Sequence, residues 1–230
     1  MKAILFVIAL CLPWQPVMAA ERILALAPHV CEILYAIGAQ EDIVGAVDYC
    51  DYPKAANAIP RVGNYQQVYL EAALRTGATL AIAMDRSVTG IAQLEAHGVR
   101  IVQSYPASLE GVIADIRKIG AITGHAEKAN LVASGIQRRL DRVRQQQQRQ
   151  KPVRAFYEIW GDPLITPGKN NFITSLLHEA GARNVFEDVE IDAPRINVES
   201  VIRARPDVVV IPTEARDVEQ RKRFWQKWLG

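Results

Sequence analysis

The sequence predicts an α/β protein of two doubly wound lobes joined by one long rigid helix. Three observations predict it. Short apolar runs alternate with amphipathic segments from Arg22 to Thr123 and again from Arg154 to Leu229, the pattern of parallel strands with helices on both faces. Between the two series, Ala126–Gln150 keeps helical spacing without a proline. Finally, Leu70–Ile82 reads almost in step with Val198–Val210. In each copy a glutamate (Glu71, Glu199) opens a short helix, an arginine follows four residues later, and a turn leads into an apolar strand. Solenoid units run only ~20–50 residues, so a repeat this distant marks two similar lobes. Two unrelated acids at helix starts are the plainer alternative.

The bulk numbers fit this plan. The chain has 230 residues, 50% hydrophobic and 23% charged, enough for one large or two small α/β cores. A formal charge of +2 gives no electrostatic case for a nucleic-acid partner. The basic clusters at Arg138–Lys151 and Arg216–Lys227 read as solvated helix faces.

Residues 1–20 read as a secretory leader. Lys2 supplies the charge, Ala3–Leu12 the apolar run, and Val17-Met18-Ala19-Ala20 the small residues for cleavage. The run is short of the roughly 20 residues a membrane span needs. Leu10 before Cys11 argues against lipoprotein processing. Cys31 and Cys50 then remain in an oxidising compartment. A disulfide is preferred over two free, partly buried thiols, which are a liability outside the cytoplasm.

The first lobe is expected over 21–124. Arg22–Leu26 reads as a strand and Ala27-Pro28-His29 as the turn after it. Val30–Ile37 is a helix stopped by Gly38, and Ile43–Val47 a second strand. Tyr49–Pro53 is a loop with Asp51-Tyr52-Pro53 turn chemistry. After the Glu71 helix come a strand at Leu80–Ala83, a helix at Ile91–His97, a strand at Val99–Gln103 and a helix at Leu109–Thr123. The connecting helix is expected over 125–151, with Ala126–Gln150 about 37 Å long. Its stiffness predicts small opening and closing motions. The second lobe, 152–230, restarts with a strand at Arg154–Trp160 and a turn at Gly161-Asp162-Pro163. A helix at Phe172–Ala180, a short strand at Asn184–Phe186, the second glutamate unit and a helix at Val218–Leu229 follow.

No catalytic signature stands out. Gly-x-Ser-x-Gly, Gly-x-x-x-x-Gly-Lys-Ser/Thr and His-Glu-x-x-His are all absent from the sequence. His97, His125 and His178 have no metal-ligand spacing with one another. His29 follows the first strand, where α/β folds place ligands; a turn residue bonded to backbone fits equally well. Tyr49, Tyr65, Met84 and Asp162 also sit in loops after strands. Aromatic side chains there give flat apolar faces with a polar handle, suited to a large ring-shaped ligand. For Trp160, inside an apolar strand, core packing is the preferred reading.

Arg22–Pro28, Asp51-Tyr52-Pro53, Val62-Gly63-Asn64-Tyr65 leading to Leu70-Glu71, Ile159–Gly168 and Asn184-Val185-Phe186 resemble, in that order, the periplasmic cobalamin-binding proteins. These form part of the helical-backbone class of substrate-binding proteins for ABC importers, which also carries haem and ferric siderophores. The likeness extends from about Glu21 to Gly230. It implies a ligand cleft between the lobes, and it implies that Glu71 and Glu199 pair with arginines of the membrane permease. It places Tyr49 against the corrin and Tyr65 where the class often has an aromatic. Met84, Ile165 and Ala193 stand at cleft positions where close relatives would put aromatic rings. The class pattern's last strand and helix do not appear before Gly230, so a shortened second lobe is expected.

The combined expectation is a monomeric periplasmic protein that carries cobalamin to an ABC permease, without catalysis, metal or resident cofactor. Its rivals are a haem or siderophore carrier using His29 or Tyr65, a metal-ion binder using His29, a secreted enzyme on a doubly wound fold, and a degenerate chain that binds nothing.

Overall fold

The computed structural model describes residues 21–64, 66–147, 151–212 and 218–229. The proposed leader, Tyr65 and Gln148–Gln150 lie outside them. The first lobe is a parallel sheet of β1 (Ile23–Leu26), β2 (Ile43–Val47), β3 (Arg61–Gly63), β4 (Leu80–Ala83) and β5 (Arg100–Gln103), in the order β3-β2-β1-β4-β5. Chain order reverses between β1 and β4, the switch point that defines a doubly wound sheet.

The strand sequences explain the layers. All four residues of β1 are buried, and so are those of β4, because helices cover both faces. Alternation then sorts them. Ile23 and Ala25 join the core formed with α1 (Pro28–Ala36), α4 (Leu109–Ile122) and α5 (Ala126–Gln147). Leu24 and Leu26 join the core against α2 (Leu70–Arg75) and α3 (Ile91–Ala96). At the crossing of α4 and α5, a Cβ on Gly120 would lie 2.1 Å from Ala129 Cβ, so only glycine permits this approach.

The first-lobe expectations need one addition and two corrections. Arg61–Gly63, to which no element is assigned from sequence, is a strand paired with β2. Helix α1 begins at Pro28 rather than Val30, since proline at the first helical position already has the required φ. His29 is therefore a helix residue, not a turn residue.

The second lobe is smaller. Strand β6 (Val153–Tyr157) lies between β9 (Ala182–Asn184) and β10 (Val208–Val210), all parallel. Beyond β6, β7 (Trp160–Gly161) and β8 (Leu164–Ile165) form an antiparallel hairpin. The expected continuous strand Arg154–Trp160 is thus broken after Tyr157. The expected strand Asn184–Phe186 starts and ends two residues earlier. Asn184 ends it, because its Oδ1 accepts from Phe186 N while its Nδ2 donates to Pro167 O and Thr174 Oγ1. Helices α6 (Phe172–Glu179), α7 (Val198–Ala204) and α8 (Val218–Leu229) complete the lobe. Phe156, Leu164, Val201 and Trp225 form its buried core.

The repeat seen in sequence is a repeat of hydrogen bonds. In the first lobe, Arg22 N donates to Thr79 Oγ1, Thr79 N donates to Arg22 O, and the Arg22 guanidinium caps the end of α2 at Thr76 O and Gly77 O. In the second, Arg154 N donates to Asp207 Oδ2, Asp207 N donates to Arg154 O, and the Arg154 guanidinium caps the end of α7 at Ala204 O and Arg205 O. Each glutamate helix is therefore tied at its C-terminus to the first strand of its own lobe.

Arg144, on α5, spans both lobes. It donates two bonds to Glu179 of α6, at 2.7 and 2.5 Å, and another to Glu110 of α4. The bond from Arg144 holds the Glu110 carboxyl below its usual range. The connecting helix is thus fixed to a side chain from each lobe, consistent with limited hinge motion.

Cys31 and Cys50 form a disulfide, with Cα atoms 6.0 Å apart. It joins α1 to the loop after β2. A separation of 19 residues corresponds to about 3 kcal/mol of unfolded-state restriction. Reduction is expected to lower the thermal midpoint by roughly 6–12 °C, read by calorimetry with and without reductant. An unchanged midpoint would contradict a structural role for the bond.

Candidate functional site

In a doubly wound sheet, ligands lie outside the carboxyl ends of the strands. The aromatic side chains collect there. Tyr49 follows β2, Tyr105 follows β5 and Trp160 follows β6; they are 67%, 63% and 60% exposed. The Tyr49 loop is braced from several sides. Tyr49 has φ 65°, a left-handed backbone that costs an aromatic residue roughly 1–2 kcal/mol. The neighbouring Cys50 is buried in the disulfide. Arg61 donates to Val47 O and Cys50 O, closing the loop from below. Asp48 N donates to Gly63 O, joining the loop to β3. Such bracing pre-organises an exposed ring before a ligand arrives.

Met84 follows β4, and its carbonyl accepts from Gln103 Nε2 of β5. Its half-buried side chain packs on the first-lobe core. In the second lobe the structure brings three predicted positions onto one unit. Asp162 forms the turn of the β7–β8 hairpin, Ile165 lies on β8, and exposed Ala193 sits one residue before Pro194, whose carbonyl accepts from Thr166 N. Gly168 locks this unit, since a Cβ there would fall 1.9 Å from Ile191 O.

Glu71 and Glu199 are exposed in the first turns of α2 and α7. Neither is the N-cap. Asn197 caps α7 through its side chain to Ser200 N, and Tyr69 precedes α2. Freed from capping, both carboxylates project from the helix starts, where the dipole favours negative charge.

His29 is held within the fold. Its Nε2 lies 3.1 Å from both Ser104 O and Ser104 Oγ, and Ser104 Oγ donates to Asp115 Oδ2 at 2.6 Å. This chain joins α1, the end of β5 and α4. Burial, more than the opposing Ser104 carbonyl and Asp115 and Glu32 charges, pushes the imidazole below its ordinary range. A histidine with a depressed folded pKa binds fewer protons when native. Stability is then full above the unfolded value near 6.5 and falls as the pH drops through it. Urea midpoints at about pH 7.5 and about pH 5.5 check this. His29→Gln should flatten that part of the profile; an identical slope in the variant would refute it. Among the described residues, no three His, Cys, Asp or Glu side chains converge as metal ligands.

The family model described as periplasmic binding protein matches residues 23–226, which span both lobes and the connecting helix. The chain belongs to the periplasmic binding protein family. This periplasmic binding protein is 28% identical over 225 residues to a vitamin B12-binding protein of Yersinia pestis (strain Pestoides F), covering 97% of this chain and 79% of the relative. Its structure superposes on periplasmic vitamin B12 binding protein BtuF of Vibrio cholerae with TM-score 0.81 and 30% identity, over 91% of this chain and 83% of the other. It also superposes on a periplasmic heme-binding protein, RhuT from Roseiflexus sp. RS-1, with TM-score 0.73 and 25% identity, over 84% and 76%. Among the described residues, no helix of this binding protein is long and apolar enough to cross a membrane.

Sequence reasoning missed two features of this periplasmic binding protein. Trp160 is exposed rather than packed in the core, and its indole Nε1 donates to Asp162 O across the hairpin turn. Gly161-Asp162-Pro163 was the available signal, because a turn there ends the strand and releases Trp160. Arg195 pairs across from Ile165, a bridge that no local pattern announces.

Proposed function

We propose that this protein captures cobalamin in the periplasm and delivers it to the permease of an ABC importer. The observation that carries this reading is the 30% identity and TM-score of 0.81 to a vitamin B12-binding structure, sustained across both lobes. The apolar ring system would lie between the strand ends, with Tyr49, Tyr65 and Met84 on one side and Asp162, Ile165 and Ala193 on the other. His29 would line the floor of the first-lobe side. Glu71 and Glu199 would dock on the permease, one per lobe. The protein would act as a monomer, hold cobalamin as cargo without a resident cofactor, and catalyse nothing. The leader would direct export and then be removed.

Calorimetric titration with cyanocobalamin tests this reading. Saturable one-to-one binding is expected. A folded sample that ignores cyanocobalamin but acquires a haem absorption spectrum would transfer the reading to haem, as the likeness to a heme-binding neighbour favours.

A further inference from the structure

The β7–β8 hairpin carries more than the predicted positions. Trp160 is directly opposite Ile165, and Ile165 is directly opposite Arg195 on the far side. Thr166 N donates to Pro194 O and Ile196 N to Leu164 O, so Ile165 and Arg195 form a non-hydrogen-bonded antiparallel pair. Residues opposed in this way put their side chains on the same face, with Cβ atoms about 4.5–5.5 Å apart. Trp160, Ile165 and Arg195 therefore form one row across three extended segments.

The row joins two chemistries. Trp160 is 60% exposed, yet its only polar group is satisfied by Asp162 O at 2.8 Å. That bond fixes the indole and leaves its apolar surface available without a desolvation cost at nitrogen. Arg195 is exposed and makes no ion pair among the described residues. Two other second-lobe cations are paired, Lys169 with Glu190 and Arg183 with Glu187. Beneath the hairpin, Arg221 is fully engaged by Glu158, and a Cβ on Gly161 would lie 3.0 Å from Arg221 Nε. The platform is thus backed by a closed ion pair and rimmed by a guanidinium that makes no ion pair among the described residues.

We infer that Trp160, Ile165 and Arg195 form the second-lobe platform for the ligand, with the ring system resting on Trp160 and Ile165 and Arg195 pairing with an anionic phosphodiester at the ring's periphery. This rests on the cobalamin reading, because cobalamin carries one such phosphodiester in its nucleotide arm. Trp160 supplies the aromatic surface that Met84, Ile165 and Ala193 do not. Arg195 makes the site selective for complete over incomplete corrinoids.

The test is calorimetric titration of the protein, Arg195→Gln and Trp160→Ala with cyanocobalamin and with cobinamide, which lacks the nucleotide arm and its phosphodiester. Wild type should prefer cyanocobalamin. Arg195→Gln should weaken cyanocobalamin roughly fivefold and cobinamide less than about twofold, the scale of a part-exposed charge pair. Added salt should weaken cyanocobalamin binding to wild type and not to Arg195→Gln. Trp160→Ala should weaken both corrinoids by roughly tenfold. Arg195→Gln affinities unchanged for both corrinoids, or lowered equally for both, would overturn the assignment while leaving the cobalamin reading intact. Wild type that binds neither corrinoid would remove that reading and this assignment together.

Discussion

Replacing Glu71 and Glu199 together by alanine is expected to abolish transport while leaving ligand affinity within about twofold of wild type. Both carboxylates are exposed in first turns of short helices, and the strand ends are built from other residues. Their geometry is fixed from behind. Arg22 and Arg154 close the far ends of α2 and α7 through matching bonds to backbone carbonyls. Each acid is thus presented on a helix that cannot turn without breaking its link to the first strand of the lobe. A desolvated charge pair at a docking surface contributes about 2 kcal/mol or more, so two lost pairs weaken docking by roughly a thousandfold. Single replacements should give intermediate transport. Uptake in cells and pull-down on the permease read the docking loss, and calorimetry reads ligand affinity. A fall in ligand affinity in the double variant would make the glutamates cleft residues and end the docking reading.

Arg221→Met is expected to cost about 3 kcal/mol of stability, concentrated in the second lobe. Glu158, at the carboxyl end of β6, is 2% exposed. Its Oε1 accepts from Arg221 Nε at 2.7 Å, and its Oε2 accepts from Arg221 Nη2 at 2.8 Å and Trp225 Nε1 at 2.5 Å. Removing the guanidinium leaves a buried carboxylate with one donor. Breaking a buried pair costs about 3–5 kcal/mol, and the partial exposure of Arg221 argues for the lower end. The same pair holds α8 on β6 and lies against the hairpin that carries Trp160, so ligand affinity should fall as well. The double variant Glu158→Met with Arg221→Met should recover most of the stability, because no orphaned charge remains. Urea unfolding of the two single variants and the double variant measures the coupling. A single-variant loss below about 1 kcal/mol, or no recovery in the double variant, would show that packing and not charge holds α8.

Periodicity made most of the fold legible. Strands β1, β2 and β4 are apolar runs long enough to be buried on both faces, and Gly38 and Gly98 mark helix ends with positive φ. What escaped was short. β3 has three residues and β7 has two, and each is a strand only because a partner supplies its hydrogen bonds. Helix α1 was misplaced by two residues because Pro28 reads as a breaker and acts as a starter.

The candidate site divides along the same line. The loops after strands could be named from sequence, and with them Tyr49, Met84 and Asp162. The exposure of Trp160 was marked only by the Gly161-Asp162-Pro163 turn beside it, since a tryptophan in an apolar run has the composition of a core residue. The role of Arg195 could not be named. It becomes a neighbour of Ile165 through a bridge across thirty residues of chain.

By itself the sequence determined two lobes, a connecting helix and a pair of matching acids, because periodicity, capping and repeats are local and survive in one dimension. Only the tertiary structure decided the clamp of Arg144 on both lobes, the burial of Glu158 under Arg221 and the row from Trp160 to Arg195, while it bore out the preferred bond between Cys31 and Cys50. Each of these depends on which distant segments the sheets bring side by side. That choice is made by the summed burial and hydrogen bonding of the whole chain, and no single segment carries it.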